Sequence, residues 1–144
     1  MALINRNSTT TAKMRAVAHQ VARFRHEVKV GNHDLVADEP EDSGGEDAGP
    51  SPQELLAAAL ASCTAITIEM YAARKGWNVD GMAVDCCYSP AERGSPTRFK
   101  LVMRMPAHLS EEQVERLSVI AAKCPVHRTL EGEVAFDEQV ELTT

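Results

Sequence analysis

Two cysteines are the residues of this sequence best suited to do chemistry. Cys63 lies midway along an unusually apolar stretch, and Cys124 begins the run Cys124-Pro125-Val126-His127. The two positions are 61 residues apart, so no local CxxC loop joins them. If the fold brings them together, they form a dithiol that can cycle between thiol and disulfide. If it does not, the chain is a small α+β domain without an evident reactive centre.

The surroundings predicted for Cys63 leave its role open. On a helix, Cys63 shares its face with apolar side chains, and burial among them raises the pKa of a thiol and makes it inert. A reactive Cys63 therefore requires a cation, such as an arginine or a protonated histidine, from elsewhere in the fold. The apolar neighbours on this face are Leu56, Ala59, Leu60, Ile66 and Met70.

The surroundings predicted for Cys124 are different. Because Pro125 follows it, Cys124 can be the N-cap of a short segment, with its sulfur facing free backbone N–H groups. That environment lowers the pKa of a thiol. His127 and Arg128 add positive charge nearby, so a reactive and a structural role both stay open for Cys124.

The other cysteines and histidines predict no further site. Cys86 and Cys87 are neighbours on a predicted strand, where they point to opposite faces and cannot form a disulfide without leaving strand geometry. The five histidines show no zinc-finger spacing. The nucleotide-binding and serine-hydrolase motifs are absent from the sequence as well. We therefore expect neither a metal nor a cofactor.

Composition narrows the class of protein. The 144 residues predict one domain, residues 14–144, after a polar N-terminal tail, residues 1–13. A net charge of −6 argues against nucleic acid and acidic membranes as partners. We expect no membrane span, because Glu69 and Arg74 interrupt the best apolar run, and no signal peptide. With four cysteines and no secretory signal, the expected compartment is the reducing cytoplasm.

The first half of the chain predicts strands, an acidic loop and a long helix. Strand-like alternation from 21 to 38 is broken by a hairpin turn at Gly31-Asn32. Residues 38–47 hold six acidic residues and two glycines, which favours a solvated loop over an acidic binding site. Ser51 and Glu54 then form a capping-box pattern around Pro52.

The predicted helix runs from Pro52 to Lys75 and ends at Gly76. Between Leu55 and Ile68 it has no charged residue, and a helix that is apolar all round is a buried one. A domain of this size can enclose such a helix only with surrounding sheet or with a second copy of itself. The pattern therefore indicates a homodimer.

The second half predicts a strand pair, a second helix and a last strand. Alternation over 79–88 and 98–105 is typical of antiparallel strands. The run 110–113 is a second capping box that begins a helix, and Pro125 stops or kinks it. A final strand is expected through Val134, Phe136, Val140 and Leu142.

Two of these segments together resemble a known family. Residues 49–64 read GPSPQELLAAALASCT, and with Cys124-Pro125-Val126-His127 they are similar to the OsmC/Ohr family of osmotically induced and organic hydroperoxide resistance proteins. The resemblance covers roughly residues 24–142. It implies an α+β, OsmC-like fold in which antiparallel sheets surround long central helices in an intertwined homodimer.

The resemblance also implies a thiol peroxidase that reduces organic hydroperoxides. By that resemblance Cys63 is the peroxidatic thiol, which becomes a sulfenic acid, and Cys124 is the resolving thiol, which forms a disulfide with it. An external dithiol then reduces the disulfide. The implied partners are an organic hydroperoxide or another small apolar substrate and that reductant.

The sequence departs from the family at the residues that activate the first cysteine. Better-known branches have a glutamate ten residues before it, where this chain has Gln53, and Glu54 follows as a further catalytic candidate. Those branches also supply an arginine from the first hairpin, for which Arg23 and Arg25 are candidates by region. This indicates a divergent branch. The alternative hypothesis is a non-catalytic protein that binds an apolar small molecule at the dimer core.

Overall fold

The computed structural model describes residues 14–144, so the predicted N-terminal tail, residues 1–13, lies outside the described residues. The chain divides into two compact units, Met1–Pro52 and Gln53–Thr144. The described residues form three α-helices and two antiparallel sheets, which confirms the predicted α+β class.

The first unit contains a three-stranded antiparallel sheet. Its strands, paired in chain order, are β1 (Ala16–Ala22), β2 (Arg25–Val30) and β3 (His33–Ala37). The predicted turn at Gly31-Asn32 is confirmed, since Val30 pairs with His33 across it. The sequence did not reveal β1 as a separate strand, because its small alanines and exposed positions leave little apolar alternation to detect.

The acidic loop after β3 is built around one buried carboxylate. Asp38 is 2% exposed and accepts backbone N–H groups of Glu39, Glu46 and Ala48. These bonds, led by the one from Ala48, outweigh burial and hold the pKa of Asp38 below its usual value of 3.8, with the charge of Arg25 acting in the same direction. Asp38 thus shapes the loop, and most of the other acidic side chains there are exposed, as predicted.

The second unit begins with the long helix and confirms most of the predicted order. The helix bounded by Pro52 and Lys75 is followed by Gly76 in the left-handed conformation, with φ of 71°. The Ser110 capping box is also present, and it includes reciprocal bonds with Gln113. The elements are α1 (Pro52–Lys75), β4 (Ala83–Ser89), β5 (Arg98–Arg104), α2 (Glu111–Ala121) and α3 (Pro125–Glu131).

The core of this unit joins α1 to α2. One stripe of α1 is buried, and the core cluster consists of Ile68, Ala72, Val79, Leu117 and Ala121. Within the single chain the predicted burial of α1 is only partial, because Ile66 is 49% and Met70 64% exposed. Burial of the remaining apolar faces needs atoms that residues 14–144 do not place there.

The exclusion of a membrane span also needs correction. By length and composition alone, α1 is able to cross a bilayer, despite Glu69 and Arg74. The core helix of a soluble protein has the same composition.

The predicted final strand is wrong as well. Residues 133–144 have no regular structure, and their alternating apolar side chains are exposed, with Phe136 at 81% and Leu142 at 94%. Alternation gives a segment two different faces, but a strand forms only where a neighbour supplies hydrogen bonds. No neighbouring strand pairs with this segment among the residues described.

Candidate functional site

The long helix places Cys63 near its middle, where the sulfur is partly accessible. The side chain of Cys63 is half-buried, while Thr64, the next residue, belongs to the fully buried stripe of α1. Cys63 therefore stands at the border between the core and the exposed part of the helix. A small molecule can reach it more easily than it can reach the core.

The short helix α3 places Cys124 as its N-cap, as the sequence predicts. The Cys124 side chain accepts the backbone N–H of His127 at 3.5 Å, and Pro125 occupies the first helical turn. Cys124 is fully buried, with an exposure of 0%. Its sulfur is therefore shielded from water and faces backbone N–H groups, which stabilise a negative charge on it.

The structure brings the two sulfurs together. The thiols of Cys63 and Cys124 lie within hydrogen-bonding contact, and both are present as free thiols. The two predicted cysteines therefore form a dithiol site on the second unit, although 61 residues separate them in the sequence. Two sulfurs must be in contact before a disulfide can form between them.

The pKa of the Cys63 thiol is raised above its ordinary value. Burial raises the pKa of the Cys63 thiol, and so do the hydrogen bond and charge of the Cys124 sulfur. The backbone N–H of Val126 and the hydroxyl of Thr67 act in the opposite direction and are outweighed. Burial was predicted to have this effect on Cys63, and the structure confirms it.

The pKa of the Cys124 thiol is shifted in the opposite direction. Burial alone raises the pKa of the Cys124 thiol, but hydrogen bonds to its sulfur outweigh burial and lower the pKa. The main donors are the Cys63 thiol and the backbone N–H groups of His127 and Val126. Of the two thiols, Cys124 is therefore the one that ionises at lower pH.

Two polar groups beside this pair are buried, and sequence reasoning named only the second, His127. The hydroxyl oxygen of Thr64 and Nδ1 of His127 have no hydrogen-bond partner among the described residues. The other ring nitrogen of His127, Nε2, lies 2.6 Å from Oε1 of Glu131, one turn later on α3. A polar residue within the apolar stripe of α1 was the available signal for Thr64.

A cavity of about 450 Å³ opens one helical turn from each cysteine. Leu60 reaches it from the α1 turn before Cys63, and His127 reaches it from the α3 turn after Cys124. Its remaining lining residues are Thr97, Phe99, Leu101, Leu130 and Glu131. The walls are mainly apolar, with a polar end at His127 and Glu131.

Three further candidates were predicted from the sequence, Glu54 in the second unit and Arg23 and Arg25 in the first. Glu54 is exposed on the first turn of α1, nine residues before Cys63. That spacing corresponds to about 13 Å along the helix and to the opposite helical face. Arg23 and Arg25 lie in the first unit, where Arg25 acts on Asp38.

The described residues include no group of three or more His, Cys, Asp or Glu side chains that could hold a metal ion.

A family model matches the part of the sequence that contains this site. The model, described as OsmC-like protein, matches residues 44–139, a range that includes both cysteines. No match is found among curated protein sequences.

Solved structures match over most of the chain. An OsmC-like protein from Mycoplasma pneumoniae has a TM-score of 0.72 at 18% identity, covering 85% of this chain and 90% of its own. For an organic hydroperoxide resistance protein OsmC from Legionella pneumophila, the TM-score is 0.59 at 22% identity, with coverages of 85% and 92%. A further organic hydroperoxide resistance protein, from Elizabethkingia anophelis, gives 0.64 at 17% identity, with coverages of 87% and 92%. At these identities the likeness establishes a shared fold.

Proposed function

Because the chain belongs to the OsmC-like protein family, we propose that it is a dithiol peroxidase that reduces organic hydroperoxides. The observation that carries the proposal is the contact between the sulfurs of Cys63 and Cys124. Support also comes from proteins of the same fold that are named as organic hydroperoxide resistance proteins.

In the first step, Cys63 attacks the hydroperoxide. The half-buried Cys63 is the accessible member of the pair, whereas Cys124 is fully enclosed. Transfer of the shared proton from Cys63 to Cys124 produces the attacking thiolate. Its sulfur bonds to the terminal peroxide oxygen, the O–O bond breaks, and the leaving alkoxide takes the proton from Cys124 to become an alcohol, so that Cys124 is again a thiolate. Cys63 is left as a sulfenic acid.

In the second step, Cys124 resolves the sulfenic acid. The Cys124 thiolate attacks the Cys63 sulfur, an S–S bond forms, and the S–O bond breaks. The hydroxide that leaves takes a proton and becomes water. An external dithiol then reduces the disulfide by thiol–disulfide exchange, which returns both cysteines to the thiol state. Glu54 has no step in this scheme.

We propose further that residues 14–144 form a single OsmC-like domain that works as a homodimer in the cytoplasm. The family match crosses from the first compact unit into the second, which supports one domain. The exposed apolar face of α1, with Ile66 and Met70, and the unpaired segment 133–144 offer the surface for a second copy. A reducing compartment suits four free cysteines.

The peroxidase proposal is tested by substituting each cysteine. With cumene hydroperoxide and dithiothreitol, the protein should consume peroxide in many turnovers, and Cys63→Ser should abolish that consumption. Without dithiothreitol, Cys124→Ser should consume one equivalent of peroxide and leave a Cys63 sulfenic acid, which dimedone traps for mass spectrometry. Cys87→Ser, at an exposed cysteine of β4, is the matched control and should keep full turnover. Full activity in Cys63→Ser contradicts the proposal.

The cavity next to the dithiol favours a second candidate function. Its apolar walls, which include Leu60, Phe99 and Leu101, suit a non-catalytic protein that binds an apolar small molecule. In that case the thiols react slowly, no turnover occurs in the assay above, and binding of a fluorescent apolar probe is unchanged when the cysteines are oxidised.

The homodimer is tested by placing a charge on the exposed face of α1. Ile66→Glu should convert a dimer to a monomer in sedimentation equilibrium, because an unpaired carboxylate buried in an apolar interface is strongly unfavourable. Glu69→Gln, on an exposed position of the same helix, is the control. A wild-type protein that sediments as a monomer at all concentrations contradicts the dimer.

A further inference from the structure

Three cationic side chains converge on the ring of Tyr71, near the C-terminal end of α1. The charged groups of Arg74, Lys75 and Arg116 lie 5.9, 5.7 and 5.6 Å from the centre of this ring. Tyr71 follows Cys63 by eight residues, which corresponds to about 12 Å along the helix axis, so the cluster is separate from the dithiol. Like charges repel each other, and an anion that joins them relieves the repulsion.

No carboxylate within residues 14–144 forms an ion pair with this cluster. Glu112 precedes Arg116 by four residues on α2, the spacing and order that favour an ion pair on a helix. Arg116 instead donates its Nε–H to the hydroxyl oxygen of Tyr71, at 2.9 Å. Glu112 and its neighbour Glu115 are both exposed. The guanidinium is therefore held by the tyrosine rather than by a carboxylate of its own helix.

The bond to Tyr71 leaves the outer edge of the Arg116 guanidinium available. Within residues 14–144, Arg116 forms its side-chain hydrogen bond through Nε, so the N–H groups on Nη1 and Nη2 can serve another acceptor. Two parallel N–H donors of this kind match the two oxygens of a carboxylate. The hydrogen bond from Arg116 also outweighs burial and lowers the pKa of the Tyr71 hydroxyl. The charges of Arg116, Lys75 and Arg74 act in the same direction, which indicates a positive local potential.

A cavity of about 820 Å³ opens on this cluster. Lys75 and Arg116 line it together with Tyr71, and Trp77 adds a second aromatic ring. The two rings are in edge-to-face contact, with 5.8 Å between their centres. Both are only half-buried, so a ligand in the cavity can reach them. The cavity thus offers cations and aromatic surface side by side.

We propose that this cavity is a second ligand site of the protein, and that it binds small aromatic carboxylates. Arg116 and Lys75 hold the carboxylate, and the rings of Tyr71 and Trp77 contact the aromatic ring of the ligand, which extends their edge-to-face arrangement. A ligand that lacks either the charge or the ring uses only half of the site. The proposal does not depend on the peroxidase function.

The first test observes the cavity through Trp77, the single tryptophan of the protein. Its indole N–H gives one resonance in a ¹H–¹⁵N spectrum of the reduced full-length protein, and benzoate should shift that resonance in a saturable way. Benzamide has the ring without the charge, and acetate has the charge without the ring, so each should bind at least about tenfold more weakly. The absence of a saturable shift with benzoate overturns the proposal, and so does equal affinity for benzamide or acetate.

The second test removes the cations one at a time. Arg116→Gln should weaken benzoate binding by about tenfold or more, because the charge and the paired donors are both lost. Tyr71→Phe keeps the ring but releases the guanidinium, so its loss should be smaller. Arg93→Gln, at an exposed arginine outside the cavity, is the matched control and should bind as wild type does. Wild-type affinity in Arg116→Gln overturns the site, and Lys75→Gln decides the same question if Arg116→Gln folds poorly.

A third variant separates this site from the dithiol. Cys63→Ser changes only the thiol site and should bind benzoate with wild-type affinity. Loss of the Trp77 shift in Cys63→Ser would mean that benzoate binds at the dithiol, which contradicts a separate site. A protein that binds benzoate but consumes no peroxide retains this site and loses only the proposed function.

Discussion

Cys63 and Cys124 lie in contact, but the two helices that carry them surround the sulfurs differently. Cys63 projects from the middle of α1, where the backbone N–H groups are already bonded within the helix. Cys124 caps α3, where the first N–H groups have no partner inside the helix. The capping sulfur therefore ionises at lower pH than the mid-helix sulfur.

Cys86 shows what burial does when such donors are missing. Burial raises the pKa of the Cys86 thiol, and the neighbouring Cys87 and Asp85 raise it further. Cys124 is buried more completely, yet its pKa is lowered. The comparison teaches that hydrogen-bond donors, rather than exposure, decide which of these two buried thiols has a lowered pKa.

The same comparison separates access from activation. The accessible thiol, Cys63, is the less ionised one, and the more ionised thiol, Cys124, is enclosed. In the proposed cycle a single proton that moves between the sulfurs reconciles the two properties, because it gives the charge to Cys63 for the first step and returns it to Cys124 for the second.

The largest expected effect comes from loosening the core that packs α1, the helix of Cys63, against α2. Leu117 of α2 is fully buried in the core cluster with Ile68 and Ala72 of α1. We expect Leu117→Ala to lower the free energy of unfolding by about 2–5 kcal/mol, through lost burial and the cavity left behind. Chemical denaturation measures this value.

A matched control for this substitution lies on the same helix. Val119 is 49% exposed, so Val119→Ala should change the free energy of unfolding by no more than about 0.5 kcal/mol. Equal losses of unfolding free energy in the two variants would contradict a stabilising role of the core between α1 and α2.

Much of this arrangement is predictable from local sequence signals. Pro52, Gly76 and the Ser110 capping box set the helix boundaries that the structure confirms, because caps and terminators act within one turn. Cys124 followed by Pro125 likewise predicts the N-cap and its hydrogen bond from His127.

The missed features depend on neighbours that are distant in the sequence. The unassigned strand β1 is defined by its pairing with β2, not by its own pattern. The segment around Phe136 has a strand pattern, but the described chain offers it no partner strand. Thr64 looks like one more small polar residue of an apolar helix until the fold buries it completely. Such features are properties of the assembled structure.

A smaller effect tests the comparison of the two sulfurs most directly. Cys124→Ala removes a hydrogen bond and a charge that raise the pKa of Cys63, so the Cys63 titration should move to lower pH. Cys63→Ala removes a hydrogen bond that lowers the pKa of Cys124, so the Cys124 titration should move to higher pH. The ¹³Cβ resonances of the remaining thiol report both changes.

Opposite directions are the informative part of this result. General loosening of the site relieves burial, which raises the pKa of both thiols, and would move both titrations to lower pH. A direct exchange of one proton between the sulfurs moves them apart, because each thiol loses a different kind of partner. Cys86 provides the internal reference, since its titration depends on Cys87 and Asp85 and should stay in place in both variants. Shifts of the two titrations in the same direction contradict the shared proton, and with it the assignment of Cys63 as donor and Cys124 as acceptor.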